Sequence, residues 1–136
     1  MSTILVNTLT GTSTAGSIAV TGEGNSTTTN LQQGLAKSWV NFDGTGTIAS
    51  RDSLNLSSLT DISTGNYTIN VSNSFAAADY GISGISGTGA SSGAYHYSTL
   101  FNSAPTTSAF SVRNVDNSAT QVDSAYICFD SHGDLA

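Results

Sequence analysis

The amino-acid sequence predicts an all-β protein: a small antiparallel β-sandwich or barrel of about eight strands, preceded by an N-terminal β-arm. Ser, Thr, Asn and Gly make up nearly half of the 136 residues, and this composition favours strands and turns. The helix formers are scarce, since Lys and Arg together contribute three residues and Met one. An apolar fraction of 38% is high enough for a modest core, which distinguishes the chain from a disordered one.

Residues 1–35 are predicted to form the arm. TILVNTL (3–9) and GSIAVTG (16–22) are predicted as two short strands, and GEGNSTTTN (22–30) as a loop. LQQGLAK (31–37) has apolar residues at helical spacing and is predicted as one or two turns of helix. Two isolated strands bury too little surface to be stable alone. The arm is therefore expected to dock, either on its own domain or on another chain.

Residues 36–136 are predicted to form the sandwich domain. SWVNFDG (38–44) leads through the turn at 43–46 into GTGTIASRDSLNL (44–56), which is a hairpin pattern. In NYTINV (66–71) the apolar residues alternate, which predicts a half-buried strand. Further strands are predicted in four segments: DYGISGISG (79–87), AYHYSTLF (94–101), AFSVRNV (109–115) and QVDSAYICFD (121–130).

The last of these strands contains an uninterrupted apolar run at residues 125–129. Such a run predicts a strand that is covered on both faces. Cys128, the only cysteine, is accordingly predicted to be a small buried apolar side chain without a disulfide partner.

The charge of the chain excludes several classes of partner. The formal net charge is −6, and the only cations besides histidine are Lys37, Arg51 and Arg113. Nucleic acids and anionic membranes both require a basic surface, so neither is an expected partner. No apolar run reaches the roughly 20 residues of a membrane-spanning helix. The first residues lack the basic and apolar regions of a secretory signal, so none is predicted.

The sequence contains no convincing catalytic or metal-binding pattern. GASSG (89–93) matches G-x-S-x-G in its letters, but that motif requires a strand-to-helix turn in an α/β sheet. Asp130, His132 and Asp134 offer metal ligands on one side only, whereas a stable site needs further ligands and supporting groups. A solvated C-terminal segment is the favoured interpretation. We therefore predict neither an enzyme nor a bound cofactor or metal.

The segment AYHYSTLF is the best candidate for ligand contact in the sequence. Tyr95 and Tyr97 fall on one face of the predicted strand and His96 on the other. Exposed aromatic rings beside polar groups suit stacking on sugar rings. The alternative is that the two tyrosines are half-buried sheet residues whose hydroxyl groups reach water.

The segment AKSWVNFDGTGTIASRDSLNLSSLTDISTGNYTINVSNSF (36–75) resembles a repeated motif of bacteriophage tail-fibre and related virion-appendage proteins, many of them from marine and cyanobacterial phages. The motif has an Ala-Lys-x-Trp-Val-Asn-Phe-x-Gly block, a Gly-Thr strand, an Arg-Asp-Ser-x-Asn block and a Thr-Gly-x-Tyr-Thr strand. The matching positions are Lys37, Trp39, Val40, Asn41, Phe42, Gly44, Arg51, Asp52, Ser53, Asn55, Gly65 and Tyr67. The ending DSAYICFD is similar to the closing strand of such domains, whereas Ser50 replaces an expected apolar residue.

The resemblance implies a phage virion structural protein, a homotrimeric tail-fibre, knob or adaptor component that takes part in host attachment. It implies assembly with itself and with other virion proteins, contact with a host cell-surface glycan, and synthesis in the host cytoplasm without a signal peptide. Two other classes remain open. One is a capsid-decorating protein, and the other is a carbohydrate-binding module of a bacterial surface.

Particular residues receive expected roles. Trp39 is expected to anchor the core together with Phe42 and Tyr67. Lys37, Arg51 and Asp52 are expected to form the few ionic contacts that fix strand register, although solvated side chains at 37 and 51 are an equal alternative. The segment Gly81–Pro105 is expected to form outward-facing loops. Within it, the candidate receptor-binding residues are Tyr95, His96 and Tyr97.

Overall fold

The computed structural model describes residues 4–11, 18–21, 27–89, 97–100 and 103–136, without the side chains of Gln33, Tyr97 and Thr99. The described residues form ten β-strands and one helical turn, so the predicted all-β class is confirmed. The chain divides into two compact units, Met1–Leu35 and Ala36–Ala136.

The first unit contains a two-stranded antiparallel sheet of β1 (Ala19–Thr21) and β2 (Thr28–Asn30), followed by the helical turn α1 (Leu31–Gly34). The side chain of Asn30 caps α1, because its Oδ1 accepts a hydrogen bond from the amide of Gln32 at 2.8 Å. The predicted helical turn is therefore present. The predicted strand at 3–9 is wrong in its described part, since residues 4–9 form no strand. The predicted loop at 22–30 is wrong at its end, where β2 lies.

The described residues of the second unit form a β-sandwich of eight strands, the number predicted. They are β3 (Ser38–Asp43), β4 (Ala49–Leu54), β5 (Leu56–Ser63), β6 (Asn66–Val71), β7 (Gly81–Gly87), β8 (Tyr97–Leu100), β9 (Ala109–Val115) and β10 (Tyr126–His132). The first sheet has the order β4-β3-β10-β7 and the second the order β5-β6-β9-β8. All pairs are antiparallel. The two sheets remain separate, so of the two predicted architectures the sandwich is correct and the closed barrel is not.

The core lies between the inner faces of the two sheets. Because side chains alternate along a strand, every second residue of β3, β6, β9 and β10 points inward. The buried apolar side chains are Val40, Phe42, Tyr67, Ile69, Val71, Phe75, Tyr80, Phe110, Val112, Ile127 and Phe129. Phe42 and Tyr67 are both fully buried and pack edge to face, with ring centroids 5.3 Å apart. Aromatic pairs of this geometry stabilise the fold by more than the burial of their surface area alone.

One corner joins the two sheets directly. The sequence predicts one continuous strand from the turn at 43–46 to Leu56, but the strand breaks at Asn55, which has a φ of 58°. Asn is one of the few residues that tolerate this left-handed conformation. The side chain of Asn55 accepts a hydrogen bond from the amide of Asn73 at 2.7 Å and donates one to the Asn73 carbonyl at 3.0 Å. The chain thus passes from the first sheet to the second without an intervening loop.

A buried polar cluster forms around the hydroxyl of Tyr67, which donates a hydrogen bond to Oδ1 of Asp123 at 2.7 Å. The same oxygen accepts the amide hydrogen of Gly65 at 2.7 Å. Gly65 has a φ of 71°, and a Cβ there would lie 2.6 Å from the carbonyl oxygen of Asn114. Burial raises the pKa of Tyr67 well above its usual range, and the hydrogen bond and charge of Asp123 add to the rise.

The segment Gly81–Pro105 is not the set of outward-facing loops that the sequence predicts. Its first seven residues form β7, which pairs along its whole length with β10. Residues 97–100 form β8, which pairs with β9. The strands predicted at 79–87 and 94–101 are therefore confirmed by β7 and β8, and the expectation of outward-facing loops is wrong for these two stretches.

Candidate functional site

The outward side chains of the first sheet form a continuous surface, which we call the outer face. It consists of Trp39, Asn41 and Asp43 from β3, Arg51, Asp52 and Leu54 from β4, Ser83 and Ile85 from β7, and Tyr126, Cys128 and Asp130 from β10. Strand alternation produces it, since the inward positions of β3 and β10 are taken by core residues. The outer face therefore contains the only Trp and the only Cys of the chain.

Trp39 belongs to the outer face and not to the core, so the predicted core role is wrong. Its side chain is adjacent in sequence to inward-facing Val40, and 36% of Trp39 is exposed. Its cross-strand partners are Leu54 on one side and Asp130 on the other. The size of the indole suggested burial, but Val40 and Phe42 already occupy the inward positions of β3.

Arg51 is brought to the outer face by a β-bulge. Asn41 pairs with Asp52 and Phe42 pairs with Ser50, so Arg51 is the extra residue of β4. Its Nη2 lies 2.8 Å from Oδ2 of Asp43, and its Nη1 lies 3.5 Å from the side-chain oxygen of Asn41. Arg51 therefore ties β4 to β3, as expected of a residue that fixes register, through Asp43, for which the sequence predicted no ionic contact.

Asp52 does not provide that ionic contact. Its Oδ1 accepts a hydrogen bond from the amide of Ser53 at 2.8 Å, and the carboxylate beside Arg51 is that of Asp43. The pKa of Asp43 is lowered, first by the hydroxyl and amide of Thr45, which both donate to it, and then by the charge of Arg51. The expected contact of Lys37 stays a prediction.

An open depression of about 580 Å³ lies on the outer face. Trp39 and Ile85 form its apolar walls, and Ile85 is 74% exposed. Its polar lining comes from Asn41, Ser83 and Asp130. The arrangement combines an exposed aromatic ring with hydrogen-bonding groups in one concavity, which is the usual composition of small-ligand sites.

The carboxylate of Asp130, in the depression, contacts two other side chains. Its Oδ1 accepts a hydrogen bond from the hydroxyl of Ser83 at 2.8 Å, and its Oδ2 lies 2.9 Å from Nε2 of His132. These contacts hold the carboxylate in one orientation. A carboxylate has about four lone-pair directions, so two contacts leave acceptor capacity for a ligand.

The prediction that both faces of the last strand are covered is wrong. Ile127 and Phe129 are buried, but Tyr126 is 48% exposed and Cys128 is only partly buried. Because all five residues of the run are apolar, the sequence does not distinguish the buried face of this strand from its exposed face. Cys128 and Tyr126 thereby become part of the outer face, a role that the sequence did not suggest.

The candidate binding residues named from the sequence are not tested by the structure. Tyr95 and His96 lie outside the described residues, and Tyr97 is placed by its backbone alone, opposite Val115 in β8 and β9. Within the part of the chain that is described, no group of three or more His, Cys, Asp or Glu side chains is arranged to hold a metal ion.

Ile85 and Asp130 were missed by sequence reasoning. A signal for Ile85 existed, because Ile82 and Ile85 are three residues apart in a strand and must face opposite sides. The sequence groups Asp130 with a solvated C-terminal segment, whereas its cross-strand position beside Trp39 depends on the pairing of β10 with β3.

The chain matches no protein-family model, and it has no significant match among curated proteins or solved structures. Of the helices in the described ranges, none is long and apolar enough to cross a membrane.

Proposed function

We propose that the chain is a structural protein of a bacteriophage virion, a homotrimeric tail-fibre, knob or adaptor component that takes part in host attachment. Its partners would be two further copies of itself, other virion proteins and a host cell-surface glycan. It would be made in the host cytoplasm and function in the released particle.

The main support is the way in which the positions of the resembled motif divide in the fold. Val40, Phe42 and Tyr67 are core residues. Asn55 and Gly65 occupy positive-φ positions at turns. Of the other large side chains of the motif, those of Trp39, Asn41, Arg51 and Asp52 share the outer face, whereas Lys37 precedes β3. A motif with this division would specify both a sandwich and one particular surface on it.

The first unit supports assembly into an oligomer. Its residues Ile4, Leu5, Val6 and Leu9 are between 60% and 90% exposed. Large apolar side chains that are exposed close together in the sequence favour burial on association. We therefore propose that these residues form contacts between copies, and that the trimer depends on them.

Light scattering on the purified protein tests the oligomer. We expect the mass of a trimer for the unmodified protein and a lower mass for the double variant Leu5→Asp/Val6→Asp. Ile62→Asp is the matched control, because Ile62 is also exposed but lies in β5 of the sandwich, and it should leave the mass unchanged. A monomer at micromolar concentration for the unmodified protein would overturn the proposed trimer.

Electron microscopy of virions labelled with an antibody to the protein tests the location. Label at the tail tip or along the fibres would support the proposal. Label distributed over the capsid would instead identify a decorating protein, and the absence of label from intact particles would contradict a virion function.

A further inference from the structure

We propose that the depression on the outer face is a binding site for a neutral saccharide, with Trp39 as the stacking platform and Asp130 as the main hydrogen-bond acceptor. The inference rests on the proposed function, since it names the chemical class of the attachment ligand and the site that would hold it.

The shape of the site suits one or two sugar rings. Its volume of about 580 Å³ lies within the range of roughly 300–1,000 Å³ that is usual for small-ligand sites. It is open to solvent on the exposed side of a sheet, so a chain of sugars can extend beyond it. Gly84, Cys128 and Phe129 also line the depression.

Trp39 provides the apolar contact. A pyranose ring has a face of C–H groups, which pack on an aromatic ring through dispersion and the ring's negative face. Trp39 is partly exposed and is held by its strand between Leu54 and Asp130. It therefore offers a ring surface whose position is set by the sheet and not by a loop.

The polar groups around the ring select hydroxyl groups. Asp130 is oriented by Ser83 and His132. Asn41, two residues after Trp39 on β3, adds a side-chain amide to the lining of the depression. A hydrogen bond to a charged acceptor contributes more than one between neutral groups. Sugar hydroxyl groups can donate to the carboxylate and accept from the amide.

The charge of the outer face favours a neutral ligand over an anionic one. Three carboxylates lie on it, those of Asp43, Asp52 and Asp130. Arg51 is adjacent to the first of them, at 2.8 Å, so its charge is partly compensated. Like charges disfavour binding across short distances, and a sialic acid or a sulfated sugar is therefore expected to bind more weakly than a neutral hexose.

The affinity of one site is expected to be low, because an open depression leaves much of the ligand in water. Three copies in a trimer, and several trimers on one particle, would convert weak single contacts into strong attachment through effective concentration.

Trp39 is the only tryptophan of the chain, so its fluorescence reports on this site alone. The test is a titration of the purified protein with the methyl glycosides of glucose, galactose, mannose and N-acetylglucosamine, with N-acetylneuraminic acid as the anionic comparison. We expect a saturable change in emission with at least one neutral sugar, and no saturation with the anionic one over the same range.

Two variants identify the residues. Asp130→Asn is expected to weaken binding about tenfold or more, because it replaces a charged acceptor by a neutral one. Asp61→Asn, an exposed carboxylate on β5 of the second sheet, is the matched control and should leave the affinity unchanged. Saturation-transfer NMR on Trp39→Phe should show weaker binding of the same sugar, since the smaller ring retains part of the stacking.

Cys128 offers a second readout, because it is the only thiol and lines the same depression. Its alkylation by iodoacetamide should be slower in the presence of the bound sugar and unaffected by a sugar that does not change the fluorescence.

Two results would overturn the inference. One is the lack of saturable change with any neutral sugar while the protein is folded and oligomeric. The other is an indole that acrylamide cannot quench in the native oligomer, which would show that another subunit covers the outer face. Neither result decides the virion function, which the antibody labelling of particles tests separately. If the protein binds a sugar but is absent from virions, the proposed virion function is refuted and the saccharide site stands.

Discussion

The guanidinium carbon of Arg51 lies 4.4 Å from the centroid of the Tyr126 ring. Arg51 belongs to β4 and Tyr126 to β10, and β3 lies between these two strands in the sheet. The side chain therefore crosses β3, where it also meets Asp43. One arginine thus connects three strands of the first sheet on its exposed side.

The first prediction concerns this connection. Arg51→Ala should lower the free energy of unfolding by about 1 kcal/mol, because an exposed ion pair and an exposed cation–π contact each contribute up to about that amount. Asp52→Asn, next in the chain, should change it by less than about 0.5 kcal/mol. Urea denaturation of both variants provides the measurement. An equal loss for the two would contradict the assignment of Asp43 as the ionic partner.

The second prediction separates surface from core on β3. Phe42→Ala should cost about 3–5 kcal/mol, as is usual for a buried aromatic residue. Trp39→Ala should cost only about 1 kcal/mol, because the indole is partly exposed and leaves no closed cavity. The comparison is made by denaturant unfolding. A cost for Trp39→Ala that equals the cost for Phe42→Ala would mean that the indole is buried in the native assembly.

The third prediction concerns alkaline pH. The pKa of Tyr67 in the folded state is raised above its ordinary value of 10.0 by burial and by Asp123. Above pH 10 the unfolded state therefore loses a proton that the folded state keeps, so stability declines as the pH rises further. Tyr67→Phe should lower stability at pH 7 by about 1–3 kcal/mol through the lost hydrogen bond. It should also make the decline above pH 10 less steep.

The measurement for Tyr67 is the midpoint of urea unfolding at several pH values between neutral and strongly alkaline. Tyr80→Phe is measured alongside, because burial also raises the pKa of Tyr80. This variant should independently reduce the loss of stability at alkaline pH. A Tyr67→Phe variant with the same pH dependence as the parent protein would refute the assignment.

The fourth prediction concerns the corner between the sheets. Asn55→Ala should lower the free energy of unfolding by about 2–3 kcal/mol, because Ala at a φ of 58° is strained and the hydrogen bonds to Asn73 are lost. Asn55→Gly loses the same hydrogen bonds without the strain, so it should cost about 1 kcal/mol less. Thermal unfolding of the two variants gives the difference. If the glycine variant is the less stable of the two, the left-handed conformation is not a source of strain.

The fold was predictable wherever local patterns determine structure. The alternation of Tyr67, Ile69 and Val71 predicted a strand with one buried face, and all three are buried in β6. The turn at 43–46 predicted a hairpin, and β3 and β4 pair on either side of it. Both features depend on neighbours within a few residues, which a single sequence contains.

The errors occurred where the structure depends on distant pairing. β-Propensity predicted a strand over residues 3–9, but a strand requires a partner, and residues 4–9 form none. The size of Trp39 suggested burial, whereas the inward positions of β3 are fixed by packing against Tyr67 and Ile127, which are far away in the sequence. The candidate site was not predictable for the same reason, because Trp39 and Asp130 become neighbours only through the pairing of β3 with β10.

The position of β10 in the first sheet has a consequence for synthesis. β10 is the last strand in chain order, yet it lies in the interior of its sheet, between β3 and β7. Until residues 126–132 have left the ribosome, β7 has no partner in its own sheet and one edge of β3 stays open. The sandwich therefore completes its first sheet only after translation of these residues, and a message truncated before Tyr126 would yield a chain with two unpaired strand edges, a substrate for proteases and aggregation.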